Sequence, residues 1–296
     1  MLGRIVRVGS FCSHNLARHG AWLHSAQGAA ALWQALRGNA RGRRSMKPIS
    51  VQLYSLREES QEDFDGVLER LAAIGYKGVE PFALFGKTPE AFKRQVEDLG
   101  MAVSSTHHPW ANRFAAEEVI DTVSALGLSR AAGGFSPDDF ADMDAIKRTA
   151  DTINGLIERL RPAGIDLFIH NHWWEFEQID GELGYHHIAR LCPDLQFEVD
   201  TYWAANFGAV DPAAVVARVR ERAPLLHIKD GPLVKGQAHV AVGDGCVDIA
   251  GIVAAADPDV LEWLVVELDA CDTDMMTAVE GSYRYLTEQG LAAGNE

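Results

Sequence analysis

Six side chains of the kinds that hold divalent metal ions punctuate the C-terminal half of this chain: His170, His172, Glu175, Asp200, His227 and Glu267. They stand in four short segments, IHNHWWEFE (169–177), FEVDTYW (197–203), LLHIKD (225–230) and LVVELD (264–269), each an apolar run that stops on a ligand-type residue. A mixed set of Glu, Asp and His suits one Mn, Mg, Co or Zn ion with coordination positions left open for substrate. The segments recur roughly every 25 to 40 residues, about one strand plus one helix apart, as expected where parallel strands deliver side chains to one end of a barrel.

Residues so spaced need a scaffold that alternates strand and helix, and from Met46 onward the chain reads that way. ISVQLYSL (49–56) predicts a first strand, and Phe64, Val67, Leu68 and Leu71 lie on one face of the helix that follows, which stops at Gly75. GVEPF (78–82) predicts the second strand, with a helix from Thr88 to Leu99-Gly100; MAVSSTHH (101–108) the third, with a helix ending near Leu126-Gly127. SRAAGGF (129–135) is the fourth, followed by a long helix from about Asp142 to Ala163-Gly164. IDLFIHN, LQFEVD, LLHIKD and WLVVELD complete eight strands. The repetition predicts a (β/α)8 TIM barrel in one domain spanning residues 46–296, with an open doubly wound sheet as the runner-up. No GxGxxG or Walker loop follows an early strand, which argues against nucleotide binding.

Composition narrows the function classes. The 296 residues are 47% hydrophobic, enough for a large core, and the formal net charge is −15. Residues 1–45 hold seven Arg and no Asp or Glu, which leaves 20 basic against 42 acidic residues from Met46 onward. A surface that acidic repels a phosphate backbone, so nucleic acid is not an expected partner. Cys12, Cys192, Cys246 and Cys271 show no CxxC or framework spacing and read as reduced thiols of a cytoplasmic protein. No apolar stretch approaches the roughly 20 residues a membrane helix needs. The Arg-rich, acid-free start superficially resembles a transit segment. Met46 directly precedes the first strand, so residues 1–45 are expected to be a disordered extension or to precede the true start.

The combination GYKGVE, HNHWWEF, FEVDTYW, HIKD, GDGCVD and VVELD resembles the xylose-isomerase-like sugar phosphate isomerase/epimerase superfamily over about residues 47–290. Members of that superfamily include endonuclease IV, inosose dehydratase and ketose 3-epimerases. The resemblance implies a metal site in which Asp200, His227 and Glu267 are ligands. The family's fifth strand usually ends on a Glu ligand, where this chain has His170. The fourth ligand is therefore expected to be Glu175, reaching back from the loop, with His170 itself as the alternative.

Physical reasoning on single positions runs alongside. Asp200 ends a buried strand, where a bare carboxylate is costly unless a cation compensates it. The rival reading of Asp200 as a helix N-cap is disfavoured because Asp211-Pro212 already serves the next helix start. His170 and His172 share one strand face by period-two alternation. With an ordinary pKa of about 6.5, His172 suits acid/base work. Glu267 and Lys229 are the other catalytic candidates; Glu80, His107, His108, Trp110, His170 and Trp203 are candidates for substrate contact. Tyr54, Trp110, Trp173, Trp174 and Trp203 at strand ends suit stacking on sugar rings. Asp248, in GDGCVD, matches a family position near the mouth by the same resemblance, although the Gly-Asp-Gly turn of that segment has a purely local explanation.

The leading expectation is a metal-dependent isomerase or epimerase of a sugar or polyol, acting through an enediolate. A dehydratase or lyase of a keto-sugar or keto-inositol is the alternative, and a non-catalytic carbohydrate-binding barrel the third reading. Endonuclease activity is disfavoured because HIKD is not followed by a DxH match, and homo-oligomerisation is left open.

Overall fold

The computed structural model describes residues 46–295, so the expectation about residues 1–45 lies outside the described residues. Eight strands form one parallel sheet: β1 Lys47–Gln52, β2 Gly78–Glu80, β3 Ala102–Val103, β4 Arg130–Gly133, β5 Asp166–His170, β6 Gln196–Asp200, β7 Leu225–Ile228 and β8 Trp263–Val266. After each comes a helix: α1 Arg57–Ile74, α2 Pro89–Asp98, α3 Ala116–Ala125, α4 Met143–Leu160, α5 Gly184–Leu191, α6 Pro212–Val219, α7 Ile249–Ala255 and α8 Met275–Glu288. Hydrogen-bonded neighbours run β3-β2-β1-β8-β7-β6-β5-β4, the cyclic order of a TIM barrel. At the seam the two outermost strands are joined through the segment after β3: Ala111 N donates to Ala132 O at 2.8 Å, and Asn112 Nδ2 to Gly134 O at 2.6 Å.

Local chemistry sets the element ends. Thr88, Asp142, Asp211 and Asp274 cap α2, α4, α6 and α8 by accepting from first-turn amides. Within α1, Asp63 leaves helical geometry and accepts from Gly66 N, so a second cap kinks the helix just before the buried row Phe64, Val67, Leu68 and Leu71. The strands are shorter than the sequence predicts, and the cause is visible at β1 and β3. Gln52 turns the chain after β1 by accepting from Tyr54 N, which makes Leu53–Leu56 a single 3-10 turn. After Val103 the hydroxyls take over: Ser104 Oγ donates to Val79 O, and Thr106 Oγ1 to His108 O and Pro81 O, pulling 104–108 out of regular pairing.

Alternation along each strand sorts the interior. Ile49, Val51, Val79, Leu167, Ile169, Phe197, Val199, Leu226, Ile228, Leu264 and Val266 are buried in the main core cluster. The intervening residues face the barrel axis. Ala132, Phe168 and Leu225, with Trp110 and Trp263, make an apolar floor. Gly78 belongs to this layer because a Cβ there would meet the Trp263 ring at 2.8 Å. Above the floor the same faces carry Gln52, Glu80, His170, Glu198, Asp200, His227, Lys229 and Glu267, all buried.

Candidate metal centre

The register that stacks the floor also stacks the charges. His170 pairs with Glu198 across β5 and β6, and Asp200 with His227 across β6 and β7. His170, Asp200, His227 and Glu267 each offer a donor atom, and these atoms lie within 4.8 Å of one another. The individual distances are 3.9 Å for His170 Nε2 to Asp200 Oδ2 and 2.8 Å for His227 Nδ1 to Glu267 Oε2. His170 Nδ1 and Glu198 Oε1 are buried without an aligned hydrogen bond, which is costly unless a cation or proton completes them, whereas Asp200 Oδ2 already has the Lys229 ammonium at 2.8 Å. Two imidazoles and two carboxylates converging at the C-terminal strand ends are the donor set a Mn-, Co- or Zn-type ion accepts.

The expected fourth ligand, Glu175, stands outside this group, and the alternative, His170, stands inside it. The Glu175 carboxylate is buried in a 3-10 turn, where Oε2 accepts from His172 N at 2.9 Å. Burial pushes its pKa up to about 8, against the backbone hydrogen bonds it accepts. Asp200 departs from the sequence reasoning in another way, because it does cap a turn: Oδ1 accepts from Trp203 N at 2.9 Å while Oδ2 stays on the axis. The N-cap and the axial role use different oxygens of one carboxylate. Asp211 still caps α6, so the two caps serve different helices and do not compete.

Lys229 points inward and is 1% exposed. Its Nζ lies 2.8 Å from both Asp200 Oδ2 and Glu267 Oε2, and 3.0 Å from Asp269 Oδ2. Burial opposes its charge, but Asp200, Asp269 and Glu267 outweigh that and hold it well above the usual lysine value. Trp203 Nε1 donates to Asp269 Oδ2 at 3.1 Å, and Asp269 N donates to His239 Nδ1 at 3.1 Å, so the ammonium is braced from behind.

His172 stacks on Trp174 at 4.2 Å and meets His170 edge-on at 5.3 Å. Burial, then Lys229, lowers its pKa to about 4, so at neutral pH it is an unprotonated base. His107 enters the axis and lies 2.5 Å from Glu198 Oε2 and 3.2 Å from Glu80 Oε1. His108 turns away, half-buried against Phe114, and is not brought together with the other candidates. Trp110 packs beside His107 at 4.6 Å. Glu80 is fully buried, accepting from Gln52 Nε2 at 2.5 Å and from Ser105 Oγ. Asp248 caps α7 by accepting from Gly251 N. The last residue of HIKD shapes the loop: the Asp230 carboxylate accepts from the amides of Gly231, Gly243, Gly245 and Val247. Only a residue without a Cβ fits at Gly245, where that atom would overlap the carboxylate.

Sequence reasoning missed Glu198, Gln52 and His239. The signal for Glu198 was present: in QFEVD it stands two residues before Asp200, between Phe197 and Val199, and so shares the inward face.

A cavity of about 520 Å³ opens at the opposite, N-terminal end, lined by Arg130, Asp166, Asp194, Gln196, Arg222 and Glu262 among others. Its charges are spent on each other, with Arg130 forked onto Glu262 at 2.6 and 2.8 Å and Arg161 on Asp194 at 2.8 Å. Polar residues at that face of a barrel serve stability, whereas the chemistry belongs to the other end.

A sequence model described as a xylose isomerase-like TIM barrel matches residues 68–288. Among solved structures, a sugar phosphate isomerase/epimerase from Parabacteroides distasonis is 25% identical, with a TM-score of 0.73 over 84% of this chain and 96% of that one. A D-allulose 3-epimerase from Methylomonas is 15% identical, with a TM-score of 0.62 over 83% and 98%. A probable 3-DHS dehydratase from Bacillus anthracis is 12% identical, with a TM-score of 0.61 over 81% and 98%. No curated protein matches.

Proposed function

The chain belongs to the xylose isomerase-like TIM-barrel family, and from that premise we propose that it is a divalent-metal-dependent isomerase or epimerase of a sugar or a sugar-like polyol. The observation that carries this reading is the convergence of His170, Asp200, His227 and Glu267, from four successive strands, within 4.8 Å of one another. An ion held there would polarise a substrate carbonyl and its neighbouring hydroxyl, and so acidify the carbon between them.

The chain's own residues divide the remaining work. Unprotonated His172 accepts the proton from that carbon. The Lys229 ammonium, held between Asp200, Glu267 and Asp269, offers a fixed positive charge and a hydrogen bond to the oxygen on which negative charge develops. Trp203, beside Lys229 and Asp269, suits the apolar face of a sugar ring. Return of the proton to the neighbouring carbon isomerises the substrate; reprotonation of the original carbon from the opposite face inverts the centre.

A second reading is elimination of a β-substituent from the same enediolate by a dehydratase or lyase. It draws on His170, since epimerisation by two opposed carboxylates loses a partner where the fifth strand ends on an imidazole. Metal analysis of the purified protein, together with deuterium uptake from solvent into a panel of ketoses and keto-polyols, decides between them. One ion per chain with deuterium in an isomerised or epimerised product supports the leading reading. Loss of water with a new conjugated-ketone absorbance supports the second, and sugar binding without metal or exchange points to a non-catalytic barrel.

A further inference from the structure

Beneath the four proposed ligands lies a deeper tier of charge that the proposed chemistry leaves unused. Glu198 is fully buried, one inward position below Asp200 on β6. Its Oε2 lies 3.2 Å from His170 Nδ1, and its Oε1 lies 3.2 Å from His227 Nε2. These are the ring nitrogens that face away from Asp200 and Glu267; the opposite nitrogens, His170 Nε2 and His227 Nδ1, face those carboxylates. We propose that Glu198 is a positioning residue that turns both imidazoles so that each presents its lone pair to the metal ion. The proposal rests on the metal reading above.

A neutral imidazole has one N–H and one lone pair, so the nitrogen that donates decides which nitrogen can ligate. A carboxylate behind a ligating histidine fixes that choice and raises the ligand's basicity. One Glu198 side chain lies 3.2 Å from a nitrogen of each histidine; neither contact is an aligned hydrogen bond, and a small turn of each ring would make it one. It is itself braced: His107 Nε2 sits 2.5 Å from Glu198 Oε2 and 3.2 Å from Glu80 Oε1, and Glu80 also meets His227 Nε2 at 2.9 Å. Gln52 and Ser105 hold Glu80 in turn. Electroneutrality points the same way. With His170 ending the fifth strand, the ligand set has one anion fewer than a set with Glu there, and Glu198 returns a negative charge 3.2 Å behind the imidazole.

The same tier has a rival use, because donor atoms of His107, His170, Glu198 and His227 also lie within 4.8 Å of one another and offer the ion a second, deeper seat. Titration calorimetry of the full-length protein with Zn²⁺ and Co²⁺, with the Co²⁺ absorption spectrum as a second readout, separates the two. For a positioning role, Glu198→Gln should keep one ion per chain with an affinity about 10- to 100-fold weaker and an altered Co²⁺ spectrum. Glu198→Asp should recover part of the loss. In a His170→Glu background, where one imidazole is gone, the Glu198→Gln penalty should shrink; a merely structural residue would cost the same in both backgrounds. Should Glu198→Gln fail to fold, the Glu198→Asp comparison in the two backgrounds carries the same test. Unchanged affinity in Glu198→Gln, or an equal penalty in both backgrounds, overturns the proposal. Retention of metal by Asp200→Asn with complete loss in Glu198→Gln overturns it in favour of the deeper site. Failure of the unaltered protein to bind either ion overturns the metal reading, and this proposal with it.

Discussion

Two cations have claims on the same oxygens, for Lys229 Nζ lies 2.8 Å from both Asp200 Oδ2 and Glu267 Oε2, the carboxylates proposed to hold the ion. Unit charges roughly 4 Å apart repel by about 4 kcal/mol at an effective dielectric of about 20. Lys229→Met, which keeps the length of the side chain and removes the charge, is therefore expected to bind divalent metal at least about tenfold more tightly. Turnover should fall, because the charge facing the developing oxyanion is gone. Tighter metal with unchanged turnover would show that Lys229 only balances charge. His172→Ala should do the reverse, retaining stoichiometric metal while turnover drops about 10²- to 10⁴-fold. At this scale the sequence was readable wherever a ligand-type residue ended an apolar run, as at Asp200 and His227. It was unreadable where function depends on which ring nitrogen or which carboxylate oxygen faces the axis, as for His170 and the two oxygens of Asp200.

The fifth strand and its loop show what alternation can and cannot predict. Period two puts His170 on the axis, but β5 ends at that residue, and beyond it the loop sets side-chain direction. Asn171 takes the backbone of Asp200 in both directions, donating to its O and accepting from its N at 3.0 Å, while Glu175 folds back onto His172 N. A sequence pattern carries no record of such bonds, so the reach of Glu175 to the ion could be imagined but not tested. His170→Ala is expected to lose metal, and Glu175→Gln to retain it, because an amide oxygen still accepts from His172 N. Metal measured in both purified variants checks this, and the opposite outcome returns the ligand role to Glu175. The strand order was legible for a related reason: α2, α4, α6, α7 and α8 start on side-chain caps, Gly75, Gly100, Gly127 and Gly164 close the first four helices, and parallel strands buried on both faces read as apolar runs. β3 was overextended because Ser104, Ser105 and Thr106 satisfy the β propensity of a strand while their hydroxyls bond to backbone or to Glu80.

For the molecule as a whole, gathering so many ionisable groups on one axis ties stability to pH. Burial raises Glu175 to about 8, above its ordinary 4.5. Burial opposes the charge on His227, yet Glu198, Glu80 and Glu267 outweigh it and hold the imidazole well above 6.5. Both groups keep protons in the folded state that the unfolded chain has already released. Their contributions to stability are therefore lost as pH rises, for Glu175 from about 4.5 through about 8 and for His227 from about 6.5 upward. His172 and His239 work in the other direction: burial and then Lys229 lower both to about 4, so stability grows as pH rises from about 4 to 6.5. The metal-free protein is thus expected to be most stable near pH 6 to 7 and to weaken above it. Glu175 alone accounts for about 1.4 kcal/mol per pH unit between about 6.5 and 8, on the order of 2 kcal/mol. Glu175→Gln removes that titration without removing the acceptor, so its melting temperature in chelator should fall less steeply between pH 6.5 and 8 than that of the unaltered protein. Divalent metal should flatten the unaltered curve as well, because an ion on His227 Nδ1 displaces a proton and draws its binding energy increasingly as pH rises. A metal-free melting temperature that is level from pH 6.5 to 9, or a Glu175→Gln curve as steep as the original, would mean that the buried carboxyl is not the group that sets the alkaline limit.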